Sequence, residues 1–338
     1  MPQLHSAIAH AAYIDLLRLL QEDAASQLRG TPTLVRRNGR GYWYDSFRLG
    51  NTVRKTYLGE DKPELRARLM RHKALAGERD SRRAARSRLI RILRAEGFLG
   101  LDAGSGSLLN ALARSGVFRL GGTIVGTHAF RLYEGVLGLR FSFDQMAQTG
   151  DIDIASFERL SLALQDSASP PLAEVFRDLS FSPVPSLSEG QTWRWQQSNS
   201  ELLVEFLTSS FEADEAIRPL PALGVCAQSL HHLNYLIAEP IPAAAIYRSG
   251  VLVQVPRPER FAIHKLIVAD RRQGDSGRLR AYKDRAQAAF LIEALAEHRP
   301  DELREAWNDA NARGPKWRKR LARTLGKMPQ SREILEQI

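Results

Sequence analysis

Cysteine is almost absent: Cys226 is the only one in 338 residues, so no internal disulfide can form and a reducing compartment is expected. Long apolar runs are missing too. No uninterrupted stretch approaches the roughly 20 residues that span a bilayer. Met1-Pro2-Gln3-Leu4-His5 has neither the charged start nor the apolar run of a signal peptide. These absences predict a cytoplasmic protein with no membrane partner. No internal repeat or low-complexity tract is present, which sets aside repeat architectures. The Cys/His clusters of a zinc centre are lacking as well: His231 and His232 form a bare pair and His264 stands alone, so they read as core or surface histidines. Acidic residues are the minority, 38 against 48 lysines and arginines, leaving a net charge of +10.

That positive surplus is concentrated. Arg36, Arg37, Arg40, Arg48, Arg54 and Lys55 crowd one segment, interleaved with Tyr42, Trp43, Tyr44, Phe47 and Tyr57. Arg82, Arg83, Arg86, Arg88, Arg91 and Arg94 crowd another. At helical spacing Leu89, Ile92 and Leu93 fall on one face and Arg88, Arg91 and Arg94 on the other. A basic stripe is the footprint of a polyanion partner, and aromatic with basic residues can stack on bases and grip phosphates. The same features suit a wet helix face and a small β core, and both readings stay open. Lys316-Trp317-Arg318-Lys319-Arg320 is a further basic patch.

The chemistry-bearing stretch runs from Gly121 to Ala155. Gly121-Gly122-Thr123-Ile124-Val125 reads as a short strand ending at Gly126-Thr127, and a helix is predicted from His128. Glycine at that junction lets the backbone approach a phosphate, and a hydroxyl beside the helix N-terminus adds a donor where unpaired N–H groups favour anions. Farther on, Asp151-Ile152-Asp153 places two carboxylates on one face of a strand, with Ile152 and Ile154 facing a core. Such carboxylates repel unless a cation sits between them. Mg²⁺ is held by one or two carboxylates together with substrate phosphates, which suits phosphoryl or nucleotidyl transfer.

The Gly-Thr turn followed by Thr149-Gly150-Asp151-Ile152-Asp153-Ile154 resembles the signature of the nucleotidyltransferase superfamily, the polymerase-β-like fold. GTIVGTHAF, TGDIDIA, VPRPERFAIHKLIVADRR and YKDRAQAAFLIEAL resemble a bacterial nucleotidyltransferase-fold family, similar in turn to AbiEii and MenT-type toxins. The resemblance covers roughly residues 85 to 300 and is specific for fold rather than for substrate. It implies that Gly126 and Thr127 hold the nucleotide's phosphates and that Asp151 and Asp153 hold metal. Thr127 departs from the usual serine but keeps the hydroxyl. A third carboxylate comes from a later strand in many members; the alternating stretch 201–208 makes Glu205 the candidate, both as ligand and as base, although aspartate is commoner at that slot. The resemblance also implies that Lys265 contacts the triphosphate. Ala262, Leu266 and Ala269 form an apolar stripe beside it, so its stem is partly covered while its ammonium reaches a pocket. Lys283 is a candidate phosphate contact, and Asp284, at the predicted start of a helix 284–296, a structural partner for a nearby cation or a helix N-terminus.

Hydrophobic content of 43% suffices for a sizeable core. The fold class expected is mixed α/β (α+β): a nucleotidyltransferase-fold sheet, a basic N-terminal helix and β-meander region, and a C-terminal helical domain. The expected domains are 1–99, 100–255 and 256–338. Within them the spacing predicts a helix at 7–27, a meander over 33–58 cut by Asn38-Gly39 and Leu49-Gly50-Asn51, then a basic helix at 63–75 with a separate arginine-rich helix after it. A Gly/Ser boundary loop is expected at 100–106, strands near Gly121, Asp151, Trp193, Leu202 and Val251, and helices after Pro256 interrupted at Arg299-Pro300 and Gly314-Pro315.

These features lead to a metal-dependent enzyme that transfers a nucleoside monophosphate from an NTP to an acceptor hydroxyl, with Mg²⁺ or Mn²⁺ as cofactor. RNA is the favoured acceptor, a tRNA 3′ end the leading candidate. The likeness to toxins adds an antitoxin or regulatory partner. Two alternatives stand beside it: a catalytically silent nucleic-acid-binding or regulatory protein, and an enzyme that nucleotidylates protein.

Overall fold

Apolar alternation sets the strands of this protein, and three-to-four spacing sets its helices. The computed structural model describes residues 3–25, 31–37, 39–49, 52–141, 150–156, 167–185, 191–198, 200–272 and 275–338. Asn38, Gly50, Asn51 and Thr149, singled out above, lie outside the described residues. The chain begins with β1 (Gln3–Leu4), α1 (Ala7–Ala25), the strands β2 (Thr31–Arg37), β3 (Arg40–Leu49) and β4 (Thr52–Glu60), and α2 (Pro63–Ala95). Next come α3 (Ala103–Ser115), β5 (Thr123–Val125), α4 (Gly126–Leu137), β6 (Leu139–Arg140), β7 (Asp151–Ala155) and α5 (Leu172–Asp178). They are followed by β8 (Phe181–Pro183), β9 (Arg194–Gln197), β10 (Leu203–Ser209), β11 (Ile217–Leu220), β12 (Val225–Leu230), α6 (Leu233–Leu236), β13 (Ile241–Ala245) and β14 (Val251–Val255). The helices α7 (Pro258–Arg271), α8 (Asp275–His298), α9 (Pro300–Ala312), α10 (Pro315–Leu325) and α11 (Pro329–Gln337) complete the chain. The architecture is mixed α/β, with a helix–meander–helix region near the N-terminus and a helical C-terminal run.

Two units form. One comprises Met1–Ala7, Ala103–Ala243 and Val253–Ile338; the other comprises Ile8–Asp102 and Ala244–Leu252. In the first, a seven-stranded sheet has the order β11-β12-β10-β7-β5, with β9 pairing β10 and β8 pairing β9. β7 and β10 are parallel, from Leu203 opposite Asp151 to Leu207 opposite Ala155. β5 runs antiparallel to β7. One face of these strands is apolar: Ile124, Ile152, Ile154, Val204 and Phe206 are fully buried. Phe206 meets Trp195 and Phe176 edge-on at ring separations of 5.5 and 6.1 Å. Residues 151, 153 and 205 therefore project from the opposite face.

In the second unit β2, β3 and β4 form an antiparallel meander. Trp43 Nε1 donates to Asp61 Oδ1 at 2.8 Å, and Arg66 donates to both Asp61 oxygens at 2.6 Å. These bonds hold the Asp61 carboxyl down at about 2. Tyr13 is buried, and its hydroxyl accepts the Ala244 amide at 3.0 Å. Along α2, Ile90 and Leu93 are buried whereas Arg88, Arg91 and Arg94 are exposed. Arg82 and Arg86 instead pair with Asp23.

Three expectations are corrected. The two helices expected after Pro63 are one 33-residue helix. Gly77 is the only weak former at the expected break; one interior glycine costs about 1 kcal/mol, which does not end a helix. The Gly/Ser stretch at 103–106 is not a loop but opens α3, because Leu108, Leu109 and Leu112 bury its face. Asp284 does not begin a helix; it lies inside α8, which starts at Asp275. The interruptions at Pro300 and Pro315 occur where expected, with proline at the first helical position in both cases. Among the described residues no helix is long and apolar enough to cross a membrane.

Phe206→Ala is expected to destabilise the protein by about 3–5 kcal/mol through the cavity left beside Trp195 and Phe176. Urea unfolding followed by tryptophan fluorescence checks this; a loss below about 1 kcal/mol would contradict the packing described.

Candidate active site

β5 runs directly into α4, and the joining residue must bend sharply. Val125 is extended (φ −121°, ψ −170°), and Gly126 takes a left-handed φ of 66°. That conformation is one an L side chain rarely adopts. A Cβ on Gly126 would also lie 2.3 Å from Asp153 Oδ2. Glycine is needed twice over, for the backbone angle and for the carboxylate packed against it. Thr127 follows in the first turn of α4, half-buried. His128 is buried, and its Nδ1–H donates to the Asp151 carbonyl at 3.0 Å. The loop and the carboxylate strand are thus tied by backbone pairing, by a ring nitrogen and by close approach.

Parallel pairing puts Glu205 beside Asp153 on the same sheet face. Burial raises the Asp153 carboxyl to about 7, helped by the neighbouring charges of Glu205 and Asp151 and opposed by Lys265 and Arg272. Burial also raises Glu205; Arg194 pulls the other way, with Nη1 3.8 Å from Glu205 Oε1. The Arg194 guanidinium lies over the Trp193 ring, 4.5 Å from its centroid. Asp151, by contrast, is exposed at the start of its strand.

Cations from α7 and α8 face these acids. Lys265 is buried, and its Nζ donates to Asp284 Oδ1 at 2.6 Å. Its ammonium does not stand free in a pocket, as the sequence suggested; it is shared with a buried carboxylate. Arg272 Nη1 lies 3.1 Å from the second oxygen of Asp284. Lys283 is half-buried, and desolvation with the nearby Lys265 pushes its pKa down, while Asp284 and Asp151 pull it up. Arg280 acts on Glu205. The structure therefore gathers Gly126, Asp151, Asp153, Glu205, Lys265, Lys283 and Asp284 into one electrostatic neighbourhood. Arg194, Arg272 and Arg280 join it without having been singled out from sequence. Helical spacing carried a signal for two of them: Arg272 is two turns beyond Lys265, and Arg280 lies one turn before Lys283. Arg88, Arg91 and Arg94 belong to the other unit. Among the described residues no three His, Cys, Asp or Glu side chains form a ready-made metal cage.

Residues 103–312 match a nucleotidyltransferase family. The chain belongs to that family. Residues 11–67 match a domain of unknown function, DUF6788. No curated protein matches the chain. Among solved structures, an antigenic nucleotidyltransferase-like protein from Paracoccidioides brasiliensis is similar at 16% identity, covering 66% of this chain and 95% of that one, with a TM-score of 0.31. A likeness that distant carries no argument about the site. Nucleotidyltransferases move a nucleoside monophosphate from an NTP and generally use divalent metal. In this nucleotidyltransferase the matched span contains every acid and cation of the neighbourhood just described, and it excludes the α2 arginines.

Two outcomes follow from the geometry. Gly126→Ala should lower the melting temperature, since it meets both an unfavourable φ, costing roughly 1–2 kcal/mol, and the Asp153 carboxylate. An unchanged melting curve would contradict the close approach. The second concerns pH in metal-free protein. The folded Asp153 holds its proton more tightly than the unfolded chain, whose carboxyl titrates near 4. Its contribution to stability is thus fully present below about pH 4 and is lost as pH rises to about 7. Asp153→Asn should flatten that loss and melt above wild type at pH 8, by roughly 2–4 °C per kcal/mol relieved. Identical pH–stability curves would remove Asp153 from the buried acid cluster.

Proposed function

We propose that Asp151, Asp153 and Glu205 are the catalytic carboxylates of this nucleotidyltransferase and that Mg²⁺, or Mn²⁺, is held by them. The observation that carries the reading is the register of β7 and β10, which sets Glu205 beside an Asp153 whose proton is retained to about pH 7. Such a group is relieved by a cation. Mg²⁺ is usually bound by one or two carboxylates completed by substrate phosphates rather than by a closed protein cage. When bound, the metal would neutralise the triphosphate and polarise its α-phosphorus.

The chain's own groups account for the remaining steps. Gly126 and Thr127 present the start of α4 to the phosphates, where backbone N–H groups favour anions. Lys265 and Lys283 supply positive charge to the outer phosphates. Glu205, raised by burial, takes the proton from the acceptor hydroxyl. The hydroxyl oxygen then bonds to the α-phosphorus as the bond to the bridging oxygen breaks, and pyrophosphate leaves with that electron pair.

RNA is the acceptor in this reading, with the 3′ end of a tRNA the leading candidate. Support comes from the exposed Arg88, Arg91 and Arg94 on α2, and the motif resemblance to AbiEii and MenT-type toxins drawn from the sequence is the analogy that suggests tRNA. That likeness also points to a toxin or defence role with an antitoxin-type partner.

The test is incubation with each labelled NTP, Mg²⁺ or Mn²⁺, and total cellular RNA and protein. Label should enter RNA with the wild type and fall to background with Asp151→Ala and with Asp153→Ala. Normal incorporation by both variants would remove these carboxylates from the site. Label confined to protein would establish protein nucleotidylation instead, and no label under any condition would favour a silent fold.

A further inference from the structure

The basic run at 316–320 plays no part in the site above. Its helix, α10, is held by one face: Trp317, Leu321, Thr324 and Leu325 are buried, and Thr324 Oγ1 donates to the Leu266 carbonyl at 2.8 Å. Lys316, Lys319, Arg320 and Arg323 recur at three-to-four spacing on an adjoining face. Lys327 continues the line just past Gly326, whose backbone is still right-handed helical. Arg320 is half-buried and the other four are exposed.

In the protein alone this ridge is unfavourable. α10 contains no acidic residue, so each cation faces like charge three or four positions away. Its first turn carries Lys316 and Arg318, at the end of a helix where the dipole favours anions. Among the described residues Asp270 is the one carboxylate within ion-pair reach of the ridge, 3.0 Å from Arg320 and 3.8 Å from Arg323. Lys316, Lys319 and Lys327 make no ion pair among the described residues. The preceding helix shows the ordinary arrangement: α9 has Asp301 and Glu302 in its first turn, and Asp301 pairs with Arg304 at 2.6 Å.

We infer that the α10 ridge binds the phosphate backbone of RNA. The inference rests on the RNA reading of the acceptor and adds a phosphate track on the same unit as the carboxylates. From Lys316 to Lys327 the ridge extends about 16 Å at 1.5 Å per residue, long enough to meet several phosphates. An anionic membrane is the poorer fit, because a membrane-surface helix needs a large apolar face turned outward. The exposed positions between these cations are Arg318, Ala322 and Gly326, none of them a large apolar side chain.

The test uses the full chain carrying Lys316→Gln, Lys319→Gln and Lys327→Gln together, three exposed positions outside the core. Affinity for a fluorescein-labelled tRNA transcript is measured between about 50 and 200 mM KCl, where phosphate contacts are strongly salt-dependent. The slope of log affinity against log salt should shrink by about 2–3, and affinity near 0.1 M salt should fall roughly tenfold or more. NTP affinity, titrated on the same samples, should be unchanged. Unchanged RNA affinity and slope would overturn the inference. So would ridge-dependent binding to phosphatidylserine-containing vesicles with RNA binding unaltered. The nucleotide titration reports separately on the carboxylate site: a wild type that binds RNA through the ridge but takes no NTP supports the ridge and contradicts the site.

Discussion

Like charge held on one face of a sheet is the constraint on which the rest of this structure depends. The parallel register of β7 and β10 seats Glu205 beside Asp153, and the strand period adds Asp151 to the same side. Burial beneath these groups comes from the opposite face, where Ile152, Ile154, Val204 and Phe206 are sealed from water. The apolar residues that make the sheet stable are therefore the same ones that fix the acids in place. Asp153 responds by holding its proton to about pH 7. Carboxylates gathered in this way repel one another, which is why we propose that a cation joins them.

The opposing charges are arranged so that none stands alone. Asp284, buried within α8, takes Lys265 from α7 on one oxygen and Arg272 on the other. Lys265 is held by Asp284, and from there its positive charge acts on Asp153. Arg194 plays a comparable part for Glu205 from the neighbouring strand β9, steadied by Trp193. Five cations, Lys265, Lys283, Arg194, Arg272 and Arg280, face four acids across the neighbourhood.

Local signals carried much of this. The Gly126 turn, the Asp-Ile-Asp alternation and the stripe around Lys265 are short-range patterns, and period alone locates them. Glu205 was reached through the alternation of 201–208, but its pairing with Asp153 depends on a contact 52 positions away in sequence, which no local pattern specifies. The strands β8, β11 and β12 went unpredicted for a related reason: they are short and make sense only beside the strands they pair with, β9, β12 and β10. The same holds for Arg194, whose role comes from strand pairing. α2 shows the converse. Its charge clusters suggested two helices, yet nothing in its backbone chemistry stops one continuous helix. Lys265 was placed correctly on a helix, while its buried partner became visible only once α7 and α8 were packed together.

The central claim, that β7 and β10 hold a carboxylate group awaiting a divalent cation, is tested most directly by the protons that metal binding displaces. Titration calorimetry of Mn²⁺ into metal-free protein, repeated in buffers of different ionisation enthalpy, counts those protons at each pH. With Asp153 titrating at about 7, release should be close to one proton per metal at pH 6 and fall toward none by pH 8. Absence of metal binding, or proton release that stays flat across this range, would contradict the account.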